Sequence, residues 1–173
     1  LHIVATPIGN LGDITLRAIA VLRAANVIAC EDTRVTGKLK SEFGLTAQLI
    51  PYHEHNAERA TPALIERLNS GETMALVSDA GTPLVSDPGY RLVNAALEAG
   101  IKIIPIPGAS APLAALSVSG LPTDRFIFEG FLPTKSAARR KALEQAATVK
   151  ATLVFFESPK RLAKSLADMA ELL

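Results

Sequence analysis

Short apolar runs alternate with helical patterns from the first residue onward. That rhythm restricts the chain to an α/β fold with a largely parallel sheet. Leu1–Ala5, Val27–Cys30, Gln48–Tyr52, Met74–Val77 and Lys102–Ile106 read as strands. Helical stretches lie between them. Leu16–Ala25 follows Thr15 as a cap, Leu64–Leu68 follows Thr61 (cap) and Pro62 (first turn), and Leu92–Ala99 ends at Gly100. Gly120-Leu121-Pro122-Thr123-Asp124 reads as a connection. The pattern then restarts with a strand at Phe126–Glu129, a basic helix at Ser136–Ala147, a strand at Thr152–Phe156 and a helix from Pro159. Two α/β units result, residues 1–120 and 121–173, the second incomplete.

Composition narrows the class. The 173 residues are 49% hydrophobic and 20% charged, with a net charge of +1, which describes a soluble globular protein without a polybasic tail. A local basic face remains compatible with that charge. Cys30, the single cysteine, excludes an intrachain disulfide, lies in an apolar run and reads as a small buried hydrophobe. This cysteine usage suits the cytoplasm. No signal peptide is recognisable. Ile103–Thr123 is uncharged and long enough to span a bilayer, but Pro105, Pro107, Pro112, Pro122, Gly108 and Gly120 interrupt any continuous helix. It reads as a strand, a loop and a short helix, so no membrane partner is expected. Leu162, Leu166, Met169 and Leu173 form an apolar stripe on which the sequence stops, as expected of a piece of a longer protein.

In an open α/β sheet, ligands gather at the carboxyl ends of the strands. Three loops at such positions are rich in Gly and Pro. The first is Thr6-Pro7-Ile8-Gly9-Asn10-Leu11-Gly12-Asp13. It is G-x-x-G, neither the dinucleotide fingerprint nor a phosphate-binding P-loop, and it could equally be a structural turn. The second, Ser78–Gly89, concentrates glycines, prolines, aspartates and hydroxyls, which suits a polar ligand gripped by fixed backbone groups. The third is Pro107-Gly108-Ala109-Ser110-Ala111. In one parallel sheet the three would converge.

Two polar clusters follow other strands: Glu31-Asp32-Thr33-Arg34 and His53-Glu54-His55-Asn56. Either could supply an acid, a base or substrate contacts, or could simply cap a helix. The histidine spacing is not H-E-x-x-H and no cysteine set accompanies it, so no metal is expected. Lys135, Arg139, Arg140, Lys141, Lys160, Arg161 and Lys164 lie on the two helices of the second unit. They are either a cationic surface for RNA or solvated helix faces.

Taken in order, these segments resemble the small-subunit (16S) ribosomal RNA cytidine-2'-O-methyltransferases, within the tetrapyrrole methylase-like superfamily. The likeness also takes in Val4-Ala5, Phe128-Glu129-Gly130-Phe131-Leu132-Pro133 and Phe155-Phe156-Glu157-Ser158-Pro159, and covers the whole chain. It implies two α/β domains with a ligand cleft between them, unlike the Rossmann methyltransferases, with the second domain truncated here. It also implies S-adenosylmethionine as methyl donor, no metal, a small-subunit ribosomal RNA or subunit as partner, and a homodimer. The donor pocket implied takes in Pro7, Gly9, Asp79, Gly81, Thr82, Pro83, Val85, Ser110 and Ala111. The superfamily loop often reads Gly-Asp-Pro; Thr82 stands at the Asp position, so a hydroxyl or Asp79 would supply that polar contact.

The activity implied is methyl transfer to a cytidine ribose 2'-hydroxyl. Glu31, Asp32, His53 and Glu54 are the candidate bases, and Arg34 the candidate phosphate ligand, with the Glu31-Asp32-Arg34 cluster preferred. Two alternatives remain: a methylase of a small, tetrapyrrole-type acceptor, and a non-catalytic nucleotide- or RNA-binding module.

Overall fold

A computed structural model describes every residue, Leu1–Leu173. The chain forms two units, Leu1–Ala111 and Pro112–Leu173. The division lies nine residues before the expected one (120 − 111), within the first turn of helix α5 (Ala111–Val118).

The first unit is a five-stranded sheet in the order β3-β2-β4-β1-β5. Its strands are β1 (His2–Val4), β2 (Val27–Cys30), β3 (Gln48–Pro51), β4 (Met74–Val77) and β5 (Ile104–Ile106). Every neighbouring pair is parallel. The central β2 and β4 are buried at every residue, which explains their unbroken apolar runs. Pro51 and Pro105 lie in β3 and β5, the two edge strands, where a missing amide donor is tolerated.

Four helices cover the sheet: α1 (Leu16–Ala24), α2 (Thr33–Phe43), α3 (Ala57–Asn69) and α4 (Tyr90–Glu98). The side chains of each strand alternate between two cores. Ile28, Cys30, Ala75 and Val77 pack with Ala18 and Leu22 of α1 and Leu39 of α2. Val27, Ala29, Met74 and Leu76 pack with Leu64 and Leu68 of α3 and Leu92 and Ala96 of α4. From β1 and β2 the chain moves toward the β3 edge; from β3 and β4 it moves toward β5. Right-handed crossovers therefore put α1 and α2 on one face, α3 and α4 on the other. β2 and β4 are neighbours whose chains leave in opposite directions. The crevice beyond their carboxyl ends is the topological switch point, where such sheets bind ligands.

Two local features differ from expectation. The sequence names no helix over Thr33–Phe43, where α2 forms, although it allows the Glu31–Arg34 cluster to cap one. Asp32 caps it, and Gly44 ends it in a left-handed conformation (φ 60°). α3 begins at Ala57, not beside Pro62. Thr61 is no cap: its hydroxyl donates to the Ala57 carbonyl at 2.7 Å and contacts the Tyr52 hydroxyl at 3.0 Å. Pro62 sits inside the helix.

The loop after β4 is tightly wound. Leu84 (φ 71°) and Ser86 (φ 60°) are the chain's two non-glycine residues with positive φ. Such conformations cost about 1–3 kcal/mol each and cluster at ligand clamps. Gly89 (φ 137°) closes the loop, and a Cβ there would lie 2.8 Å from Leu76 Cδ2. Gly89→Ala is therefore expected to lower stability by about 1–3 kcal/mol from overpacking, with backbone strain in addition. An unchanged urea midpoint would contradict this packing.

The second unit pairs β6 (Phe126–Phe131) with β7 (Thr152–Phe156) in parallel, with a register shift between Phe128 and Gly130. Helices α6 (Ser136–Ala147) and α7 (Pro159–Leu172) complete it. Ser158 precedes α7 but makes no side-chain cap. Glu157 instead accepts from the Ser158 amide at 2.7 Å and ties down the helix side chains of Ser165 and Arg161 at 2.6 and 2.9 Å.

Candidate active site

The three Gly/Pro loops of the first unit do meet. Thr6 and Gly81 form an antiparallel bridge, each amide donating to the other's carbonyl at 2.9 and 3.0 Å. The Thr6 hydroxyl donates to the Ser78 carbonyl at 3.2 Å. The Thr82 hydroxyl donates to the Ala109 carbonyl at 3.1 Å, tying the β4 loop to the β5 loop. Gly108 lies so close to the first loop that a Cβ would sit 3.0 Å from the Ala5 Cβ. Glycine is needed there for backbone approach. Pro83 follows Thr82 in the same loop, and Val85 lies between the left-handed Leu84 and Ser86. Gly9 has φ 132° and open space around it. Ser110 and Ala111, half-buried, lead into α5.

Beside these loops the switch point opens as a crevice of about 450 Å³, lined by Glu31, Asp32, Thr33, Arg34, Pro51, His53, His55 and Asp79. The loops after β2 and β4 are pinned together across it, the Asp32 amide donating to Asp79 Oδ1 at 3.1 Å. Both polar clusters therefore contribute to one site. Glu54 does not line it: this exposed side chain lies 3.9 Å from Arg91 of α4.

The carboxylates of the crevice are not equivalent. Asp32 accepts from the Arg34 amide at 2.8 Å and holds the Arg34 guanidinium through both oxygens. Those bonds hold its pKa down to about 2. An acid so stabilised as its anion is a poor base. Burial raises the pKa of Glu31, and the nearby Asp79 and Asp87 raise it further. Asp87 is itself raised, first by burial. Glu31 is thus the carboxylate best suited to take a proton. His53 also lines the crevice, and its Nδ1 is buried without a hydrogen-bond partner in the protein. Asp87 was not singled out from the sequence, because its approach to Glu31 depends on the left-handed turns at Leu84 and Ser86.

The Asp32 arrangement has a pH signature. Its stabilising effect is present above the ordinary carboxylate pKa of about 3.9 and disappears as pH falls through the lowered value. Asp32→Asn keeps the cap but loses the charge. The stability gap between wild type and Asp32→Asn is expected to narrow as pH falls from about 4 toward 2; thermal melts that keep a constant gap would contradict this.

The seven cations of the second unit are not one free surface. Arg139 is buried against Asp168 at 2.6 Å. Arg140 pairs with Asp168 and Glu171, and Arg161 with Glu157. Lys135, Lys141, Lys160 and Lys164 are exposed. No group of three or more His, Cys, Asp or Glu side chains is arranged to hold a metal, and no helix is long and apolar enough to cross a membrane.

Residues 1–173 match the family model described as tetrapyrrole (corrin/porphyrin) methylases. The chain belongs to the tetrapyrrole methylase family. Solved structures of this methylase fold agree. A uroporphyrin-III-C-methyltransferase from Thermus thermophilus superposes with TM-score 0.68 at 24% identity, covering 98% of this chain and 72% of that one. A cobalt precorrin-4 methyltransferase gives TM-score 0.70 at 20% identity, covering 99% and 74%. At these identities the likeness concerns the fold alone. Among methylases of higher identity, a Mesorhizobium japonicum protein named ribosomal RNA small subunit methyltransferase I is 60% identical over the whole chain. Proteins of the same name from Vibrio cholerae and Escherichia coli O157:H7 are each 53% identical over the whole chain. The chain spans 59–60% of the length of these three relatives.

Proposed function

We propose that the complete protein transfers a methyl group from S-adenosylmethionine to the 2'-hydroxyl of a cytidine ribose in small-subunit ribosomal RNA. The observation that carries this reading is the switch-point crevice, in which Glu31 and His53 stand beside three interlocked Gly/Pro loops. The names of relatives at 53–60% identity support ribosomal RNA over a small tetrapyrrole-type acceptor.

The donor fits the loops chemically. Gly81 and Gly108 let the backbones approach, and the hydroxyls of Thr6, Ser78 and Thr82 donate within the scaffold. That leaves backbone groups to grip a polar ligand. Pro7, Gly9, Gly81–Pro83, Val85, Ser110 and Ala111 are the residues we assign to holding it, while Asp79, bound by the Asp32 amide, lies on the acceptor side of these loops. Bound S-adenosylmethionine supplies a methyl group already activated on a sulfonium. The protein's task is then to align the ribose oxygen, exclude water and accept a proton. Alignment alone is worth on the order of 7–11 kcal/mol. Glu31 accepts the hydroxyl proton, and Arg34, held by Asp32 yet exposed, faces an RNA phosphate. A homodimer in the cytoplasm belongs to the same reading, and sedimentation of the native gene product tests the dimer.

Calorimetric titration of the native gene product with S-adenosylmethionine tests donor binding. Saturable one-site binding is expected; no heat and no displacement by S-adenosylhomocysteine would refute the assignment.

A further inference from the structure

A second, smaller cavity adjoins the crevice, and most of its wall is not used in the reaction just described. It measures about 150 Å³ and is lined by Thr6, Pro7, Leu11, Val35, Thr36, Lys38, Leu39, Ser78 and Asp79. Asp79 belongs to both cavity and crevice, so the two spaces share a wall. We propose that this cavity receives the base of the acceptor nucleotide, a single-ring pyrimidine bearing an exocyclic amino group, while its ribose lies in the crevice. The inference rests on the ribose-methylation reading and adds where, and by which residues, the base is selected.

Three observations support it. First, size: an apolar cavity of about 150 Å³ holds one benzene ring, which matches a pyrimidine and disfavours the double ring of a purine. Second, the walls: Pro7, Leu11, Val35 and Leu39 line the cavity with apolar surface suited to a flat ring. Leu11 and Val35 are 48% and 37% exposed, an apolar rim left open to solvent beside a polar site. Third, the polar groups: Asp79 accepts from the Asp32 amide through Oδ1 only, leaving Oδ2 for a further donor. A carboxylate accepts from the amino group of cytosine and repels the carbonyl that uracil presents at the same position. Lys38 is exposed at the cavity, and none of the salt bridges uses it. Its ammonium can donate to the ring carbonyl that a pyrimidine carries beside the glycosidic nitrogen.

Two variants of the native gene product test this, using small-subunit RNA with cytidine or uridine at the acceptor position and donor labelled in its methyl group. Val35→Trp places an indole at the exposed mouth of the cavity. It is expected to lower kcat/KM for RNA by about 100-fold or more, the loss expected when the acceptor is misplaced by an ångström. Its donor affinity and thermal midpoint should match wild type. Asp79→Asn keeps the bond to the Asp32 amide and replaces the free oxygen with an N–H donor. It is expected to reduce the preference for cytidine over uridine by on the order of tenfold. Wild-type turnover by Val35→Trp, or an unchanged cytidine preference in Asp79→Asn, overturns the subsite while leaving ribose methylation standing. Label absent from ribose in wild-type reactions overturns both.

Discussion

Glutamine in place of Glu31 is expected to reduce methyl transfer by about 10²–10⁴-fold, the usual contribution of a positioned base, without destabilising the protein at neutral pH. The two effects have one cause. Burial and the neighbouring Asp79 and Asp87 raise the Glu31 pKa, so the folded state holds this proton more tightly than the unfolded chain does. Above the raised pKa the ionised carboxylate therefore costs stability, and that cost is relieved as pH falls through it. Glutamine removes the charge and the cost together. Its thermal midpoint should equal or exceed that of wild type at neutral pH, with the advantage fading in acid. Wild-type turnover should rise with pH as Glu31 ionises, and Glu31→Gln should lack that limb. A stable variant with full turnover would transfer the role to His53, which lines the same crevice. A variant that loses stability at neutral pH would contradict the electrostatic account.

Arg139→Met is expected to destabilise the second unit by about 3–5 kcal/mol, the usual cost of breaking a buried ion pair from one side. The Arg139 and Asp168 side chains are 7% and 13% exposed, and the pair joins α6 to α7. Its bond with Arg139 is the leading cause of the lowered Asp168 pKa. Arg140 also reaches Asp168 at 3.0 Å, so the loss should fall toward the lower end. Asp168→Asn should also destabilise, and Arg139→Met with Asp168→Leu should lose less than the sum, because neither charge is then left without its partner. Urea unfolding of the four proteins measures the coupling. Additive losses of less than about 1 kcal/mol each would show a solvated pair instead.

Arg139 also shows where sequence reading stops. A run of cations on a helix looks like a solvated or RNA-facing surface. Asp168, which neutralises part of it, is 29 positions away and arrives only through the packing of α6 on α7. The strand–helix rhythm was legible because strand burial leaves continuous apolar runs, as in Val27–Cys30 and Met74–Val77. α2 was not, because Thr33–Phe43 buries only Thr36 and Leu39 and carries Gly37 and β-branched residues that weaken the helical signal. Thr61-Pro62 imitates a helix start, yet tertiary packing continues the helix through it. The convergence of the three Gly/Pro loops was legible because a parallel sheet sends all its carboxyl ends one way. Which carboxylate is the base was not, because the ranking of Glu31 over Asp32 depends on Arg34 and on a loop path set by two left-handed residues.

In the proposed reaction the ribose hydroxyl meets the methyl group at the β2–β4 switch point. The most direct measurement supplies the native gene product with methyl-labelled S-adenosylmethionine and small-subunit RNA, then digests the RNA to nucleosides. The label is expected in 2'-O-methylcytidine, and expected to be lost with Glu31→Gln. Label on a base, or none in any nucleoside, would contradict the account.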